Sequence, residues 1–373
     1  MKINFISTED LKSISGGWNG TNSKIFEQLS KVFNLNYIGP VNPKSIASEK
    51  LFSKIKRILG LRGNFHFLSD KRLFHIKDIV SEQLDPLADY NFFFGQMVWT
   101  KCYFNKPYGV YLDACFPTYL SIYSSPESFD IKDVERIKTL EKEFLLNATN
   151  LFFGSYWALH EAEKHYSCKF HNAEIVWVGG NIPIPQVDAY EGGKDFLFIS
   201  LNFEKKGGYI CVEAFQKIKS AYPESTLTII GQKPPASVLG INGIVYAGLL
   251  KKTNLKDFEK FKELLGKAFF LIHPTIMDTM GAVLIESGYY GCPSIVPKSF
   301  GIPEFVLDQV TGIVVDTPFN AEDFSQPLLD IIKDKKRYFS LRSEARKYTT
   351  SKLTWEVIGQ KITDSVKATN LVK

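Results

Sequence analysis

Asp278 and Glu286, eight positions apart, lie in the run HPTIMDTMGAVLIESGYYGCPSIVPKSFGIPEFV from His273 to Val306. Eight residues of α-helix are a little over two turns, so the two acids fall on roughly one face. Between them, Gly281 lets the backbone come close to a ligand, and Ala282 to Tyr289 carries helical apolar spacing before Gly291 stops it. Asp278 or Thr279 is the expected N-cap. The free N–H groups of such a helix start and the positive end of its dipole favour a phosphate. A further helix start is expected at Gly301-Ile302-Pro303-Glu304. With a phosphate at the helix mouth, one acid could take sugar hydroxyls and the other a ribose diol.

Positive charge for that phosphate is offered by Lys205-Lys206-Gly207-Gly208. This turn follows an expected buried strand, Phe196 to Leu201, and precedes an expected helix, Tyr209 to Ser220. A solvated lysine pair is the plainer alternative. In the first half, Gly16-Gly17-Trp18-Asn19-Gly20 separates a strand at Lys2 to Ser7 from a helix at Thr21 to Lys31. These glycines do not match G-x-G-x-x-G, and a flexible loop accounts for them as well. Asp113 stands just beyond the strand Gly109 to Leu112, at the carboxyl end where parallel sheets bind ligands. It is a candidate general base or orienting group, or else a cap for the following turn.

These segments resemble the retaining glycosyltransferases of family 4, whose donor-binding pattern is E/D-x7-E followed by G-x-P-x-I and G-G/F-x-P-E. Here the pattern reads Asp278 to Glu286, Gly291-Cys292-Pro293-Ser294-Ile295 and Phe300-Gly301-Ile302-Pro303-Glu304. The first acid is Asp in place of the commoner Glu, and an Arg often found six residues before the Lys is Ser200. The resemblance implies a GT-B fold, two Rossmann-like domains facing across a cleft, with a C-terminal helix crossing back to the first domain. It implies transfer of a sugar from a nucleoside diphosphate sugar to a hydroxyl of a glycan or lipid-linked acceptor, with no metal and no further cofactor. Donor contacts would come from Gly16, Gly17, Lys205, Lys206, Asp278, Thr279, Met280, Gly281, Ala282 and Glu286. Lys206 and Asp278 would serve the reacting centre, with Asp113 facing the acceptor. A nucleotide-sugar epimerase and a non-catalytic sugar-nucleotide-binding subunit remain the alternatives.

Strand and helix signals alternate along the whole chain, which predicts parallel sheets. Gly179-Gly180-Asn181-Ile182-Pro183-Ile184-Pro185, continuing to Gly192-Gly193, is rich in turn residues and reads as a hinge. Domains are therefore expected at 1–185 for the acceptor and 186–350 for the sugar nucleotide. Residues 351–373, opening at Thr354-Trp355-Glu356, are expected to form the returning helix.

The 373 residues are 45% hydrophobic and 23% charged, ordinary for a globular chain of two domains. A net charge of +5 is too small to argue for nucleic acid. Five cysteines, at 102, 115, 168, 211 and 292, are odd in number and show no metal spacing, which fits a reducing cytosol. His160 and His165 lie at i and i+5, not the i and i+4 of a zinc-binding helix, and no Asp-x-Asp occurs. No signal peptide or membrane span is expected, so the protein is placed in the cytoplasm. Lys44 to Lys77 carries nine basic residues against Glu49 and Asp70, and Ile46, Leu51, Phe52, Ile55, Ile58 and Leu59 recur at helical spacing. Such a helix either lies on the inner face of an anionic membrane through residues 44–62 or packs its apolar side on its own domain.

Overall fold

A computed structural model describes residues 1–12 and 17–371 and divides them into two compact units, one of residues 1–12, 18–177 and 358–371, the other of 17 and 178–357. The first opens with β1 (Lys2–Ile6), α1 (Gly17–Ser30), β2 (Asn34–Ile38), α2 (Ala47–Ile58) and α3 (Asp70–Gln83). It continues through β3 (Tyr90–Phe94), β4 (Tyr108–Leu112), α4 (Phe116–Tyr123) and α5 (Ile131–Leu146) to β5 (Asn150–Phe153), α6 (Tyr156–Tyr166) and β6 (Ala173–Ile175). Its strands form one parallel sheet in the order β2-β1-β3-β4-β5-β6. β3 and β4 are buried along their whole length, as central strands covered on both faces must be.

The second unit contains β7 (Asp195–Ser200), α7 (Gly208–Ala221), β8 (Thr226–Gly231), α8 (Ala236–Leu239), β9 (Ile244–Gly248) and α9 (Leu255–Lys267). Then come β10 (Phe270–Ile272), α10 (Ala282–Tyr289), β11 (Ser294–Pro297), β12 (Gly312–Val315), α11 (Ala321–Lys333) and α12 (Lys335–Lys352). The second sheet is also parallel, ordered β12-β11-β10-β7-β8-β9. From β7 the chain winds outward through β8 and β9, then returns to place β10 on the other side of β7. The loops after β7 and β10 therefore diverge from neighbouring strand ends, the switch point at which open α/β sheets leave a crevice. Phe196, Phe198, Phe215, Leu227, Phe270, Ile295, Phe324 and Leu328 are among the residues that fill its core.

The last helix, α13 (Trp355–Leu371), starts in the second unit, and from Ile358 onward it belongs to the first. Ile358, Ile362 and Val366 are fully buried, Lys361 stands 4.0 Å over the Trp177 ring, and Asn150 Nδ2 donates to Ser365 Oγ at 3.0 Å. No described helix is long and apolar enough to cross a membrane.

Two local expectations change. α10 starts at Ala282 with Gly281 as N-cap and no side-chain cap, so neither Asp278 nor Thr279 caps it. The Asp278 carboxylate is engaged elsewhere, as described below. Ile302–Glu304 makes a single 3₁₀ turn and no α-helix follows it.

Candidate functional site

The turn after β7 is shaped by short polar contacts. Ser200 Oγ accepts from Asn202 N–H at 2.8 Å, and Asn202 Oδ1 accepts from Lys205 N–H at 3.0 Å. Gly207 then takes φ +75° and caps α7. A Cβ built on it would stand 1.9 Å from the Pro274 carbonyl oxygen, so only glycine lets this turn pass against the loop leaving β10. That close pass joins the two loops of the switch point: Lys206 Nζ lies 2.6 Å from Asp278 Oδ2 and donates to Met277 O at 2.6 Å.

Asp278 retains 15% of its side-chain exposure, Lys206 23% and His273 only 2%. His273 Nε2 is 3.6 Å from Asp278 Oδ2, beyond hydrogen-bond distance. Both ring nitrogens of this buried histidine lack a hydrogen-bond partner. Burial pushes the His273 pKa down, only partly opposed by Asp278, so the imidazole is neutral near pH 7. For Asp278, burial pushes upward, but the nearby imidazole and the Lys206 ammonium together hold the carboxyl below its usual value. His273 escaped the sequence reading, because a histidine before a proline at a strand end carries no spacing signal.

Glu286 sits on α10 at 3% exposure. Its Oε1 accepts from Asn181 N–H at 2.9 Å and pairs with Lys252 Nζ. Gly180 N–H donates to Tyr289 Oη at 3.1 Å, and Trp355 Nε1 donates to Asn181 Oδ1 at 3.2 Å. Within the segment expected as a hinge, Gly180 and Asn181 are thus fastened onto α10. Lys252, a second unpredicted member, stands in the loop after β9, where nothing in its neighbourhood of lysines distinguishes it. Thr279 is buried, Met280 and Ala282 are half-buried, and Gly281 is packed so that a Cβ would meet Leu284 at 2.5 Å. In the first turn of α10, Leu284 N–H donates to Gly281 O at 2.8 Å, and the N–H groups of Ala282 and Val283 before it have no intrahelical acceptor, the ordinary condition of a helix start. Lys205 is exposed beside Lys206.

Asp113 belongs to the first unit, immediately after β4 and half-buried. Its loop is fixed from beneath: Gln96 Nε2 donates to Ala114 O at 2.5 Å, and Phe116 N–H donates to Glu141 Oε2 at 2.7 Å. Glu141 is fully buried, also accepts from Tyr166 Oη, and has its carboxyl pushed up to about 7 by burial. Gly17 is the first residue of α1, and Gly16 lies outside the described residues.

The family described as Glycosyl transferases group 1 matches residues 183–348, the stretch that contains the Lys206, Asp278 and Glu286 contacts. Among curated relatives, the lipopolysaccharide glucosyltransferase WaaG of Escherichia coli K12 is 23% identical over 160 residues, 41% of this chain and 41% of that protein. The chain thus matches less than half the length of that relative. Of solved structures, a sucrose-phosphate synthase from Thermosynechococcus elongatus aligns over 100% of both chains with a TM-score of 0.71 at 16% identity. Anabaena HepE, solved with UDP and glucose, aligns over 99% of this chain and 100% of its own with a TM-score of 0.67 at 16% identity. Residues 183–348 thus match the group 1 glycosyl transferases, and the pair of six-stranded parallel sheets gives the chain a GT-B fold.

Proposed function

We propose that the protein is a retaining glycosyltransferase that moves a sugar from a nucleoside diphosphate sugar to a hydroxyl of a glycan or lipid-linked acceptor, in cell-surface polysaccharide or glycolipid synthesis. The observation that carries this reading is the Lys206–Asp278 pair at the switch point of the second sheet, ahead of the uncapped start of α10. A leaving diphosphate needs preorganised positive charge in a water-poor setting, the term that usually dominates such catalysis. Lys206 supplies a cation, and the α10 N–H groups supply the rest. Lys205 adds a second cation at the rim. The reading assigns the charge to lysine and backbone.

In this scheme Asp278 has two roles. Without donor it holds Lys206 in place; with donor bound, the ammonium turns to the phosphate and the carboxylate is released toward sugar hydroxyls. Glu286, steadied by Lys252 and Asn181 N–H, takes the ribose. Asp113 orients the acceptor hydroxyl. Nucleotide sugars are cytoplasmic metabolites, and the five free cysteines suit that compartment.

Replacing Lys206 with Ala should lower turnover by at least ~100-fold, by analogy with loss of one oxyanion donor, while the fold survives. Near-normal turnover would discard the phosphate assignment. The donor class follows from thermal shifts with UDP, GDP and ADP, since a ligand at 100 times its Kd adds about 2.7 kcal/mol of stability. Binding without transfer or hydrolysis across a donor panel would exclude the enzyme reading, and release of an epimerised donor would replace it.

A further inference from the structure

α2 is built inside out. Its one fully buried residue is polar, Ser53, whose Oγ donates to Asn64 O at 2.9 Å. Beside it Lys56 Nζ bonds Asp130 Oδ2 at 2.6 Å and Asn64 Oδ1 at 2.8 Å, so the inward face is held by hydrogen bonds. The outward face is apolar: Leu51 is 58% exposed, Phe52 54%, Ile55 45%, Ile58 73%, Leu59 69% and Leu61 57%. Positions 51, 55, 58 and 59 fall at i, i+4, i+7 and i+8, a continuous stripe. The expectation that this stripe packs on its own domain therefore fails, because the turn through Gly63 and Asn64 claims the opposite face.

Cations border the stripe. Lys50, Lys54, Arg57 and Arg62 are exposed, and among the described residues none pairs with a carboxylate. Residues 47–62 carry five basic side chains against the single Glu49, which is itself tied to Lys71 at 3.3 Å. At the C-terminal end of the helix, Arg57 and Arg62 line an open groove of about 600 Å³ with Ser124, Ser125, Ser128 and one acid, Glu127. Arg57 is held over the Phe129 ring at 5.6 Å, which fixes its guanidinium at the groove wall.

We infer that α2 and this groove form a docking surface for an anionic lipid bilayer. The stripe from Leu51 to Leu61 enters the boundary between headgroups and acyl chains, Lys50 and Lys54 meet the surface charge, and Arg57 and Arg62 take a lipid phosphate. Charge complementarity selects this occupant. A second copy of the chain would set the same cations against each other, whereas an anionic membrane matches both the apolar stripe and its basic border. The surface is independent of the transferase reading. If that reading holds, its acceptor is a lipid-anchored one presented at the same membrane face.

Flotation of the full chain with phosphatidylcholine vesicles, with and without phosphatidylglycerol, tests this in the absence of donor or acceptor. Recovery is expected only with the anionic vesicles and should fall as salt rises. Arg57→Gln with Arg62→Gln should weaken partitioning by about 30-fold, two surface charges' worth. Leu51→Gln with Ile55→Gln and Ile58→Gln should abolish it. These side chains are exposed, so unchanged circular dichroism and melting will separate lost docking from misfolding. Equal recovery with neutral vesicles, or an apolar variant that floats like the parent, overturns the proposal. So does a stripe-dependent dimer in sedimentation that never floats. Because no nucleotide is present, a failed flotation leaves the Lys206 experiment untouched, and the reverse also holds.

Discussion

Gly207 shows at the residue scale how one missing atom organises chemistry. Its positive φ and the 1.9 Å approach of a hypothetical Cβ to Pro274 O both forbid a side chain. Gly207→Ala should cost about 2–4 kcal/mol in a denaturant titration, the range of combined backbone strain and overpacking. It should also displace Lys206 from Asp278 and lower turnover. A variant as stable as the parent would show that the two loops are not packed as described. Glu141 makes a second case. Its folded pKa of about 7 lies above the ordinary carboxyl value because burial disfavours the charge, and Oε1 has no partner. The folded state therefore holds this proton more tightly than the unfolded chain. The resulting stabilisation is complete below the unfolded value and is lost as pH rises through about 7. Glu141→Gln removes that dependence while keeping an oxygen for Phe116 N–H and Tyr166 Oη. Relative to the parent, the variant should gain up to about 3 kcal/mol between pH 4 and pH 8, measured by unfolding at several pH values. A constant difference across that span would show that Glu141 does not titrate there.

Elements were legible in the sequence where local chemistry sets their limits. β5 runs over Asn150–Phe153 as its apolar block implies, and α6 starts where the Ser155 hydroxyl caps it by accepting from Ala158 N–H at 3.0 Å. Asp130 does the same for α5, accepting from Lys132 and Asp133 N–H. Where tertiary contacts decide, spacing misled: the carboxylate of Asp278 resembles a cap but is drawn to Lys206, so α10 begins three residues later than a side-chain cap at Asp278 would allow. The same limit applies to α2, whose periodicity gave the stripe but not the side of the helix that faces the protein. Asp130→Ala is informative here because its carboxylate both caps α5 and anchors Lys56 of α2. Loss of the cap alone should cost about 1–2 kcal/mol. Hydrogen exchange should rise in the first turn of α5 and along α2 together. Exchange confined to α5 would mean that the Lys56 contact does not secure α2.

For the molecule as a whole, the two halves differed in what their sequences could disclose. The second unit assembles its candidate site from glycines, lysines and acids at fixed spacings, and those spacings survive in one dimension. In the first, the loop that carries Asp113 depends on Gln96 and Glu141, 18 and 25 residues away from the loop residues they hold, and such long-range support leaves no linear pattern. The terminal helix is a further long-range component, because residues from Ile358 onward complete the core of a unit that begins at Met1. Ile362 is fully buried on that helix, and Ile362→Ala removes three carbons from a packed site, a change worth about 2–4 kcal/mol. Native-state hydrogen exchange should register the loss as reduced protection in β4, β5 and β6, whose sheet lies in the unit that α13 completes. The amides of β7 and β8, in the other unit, should keep theirs. If protection fell only within α13, the helix would be an appendage that the first core does without. Matched losses in β5 and β7 would show instead that a mutation in one core unfolds both.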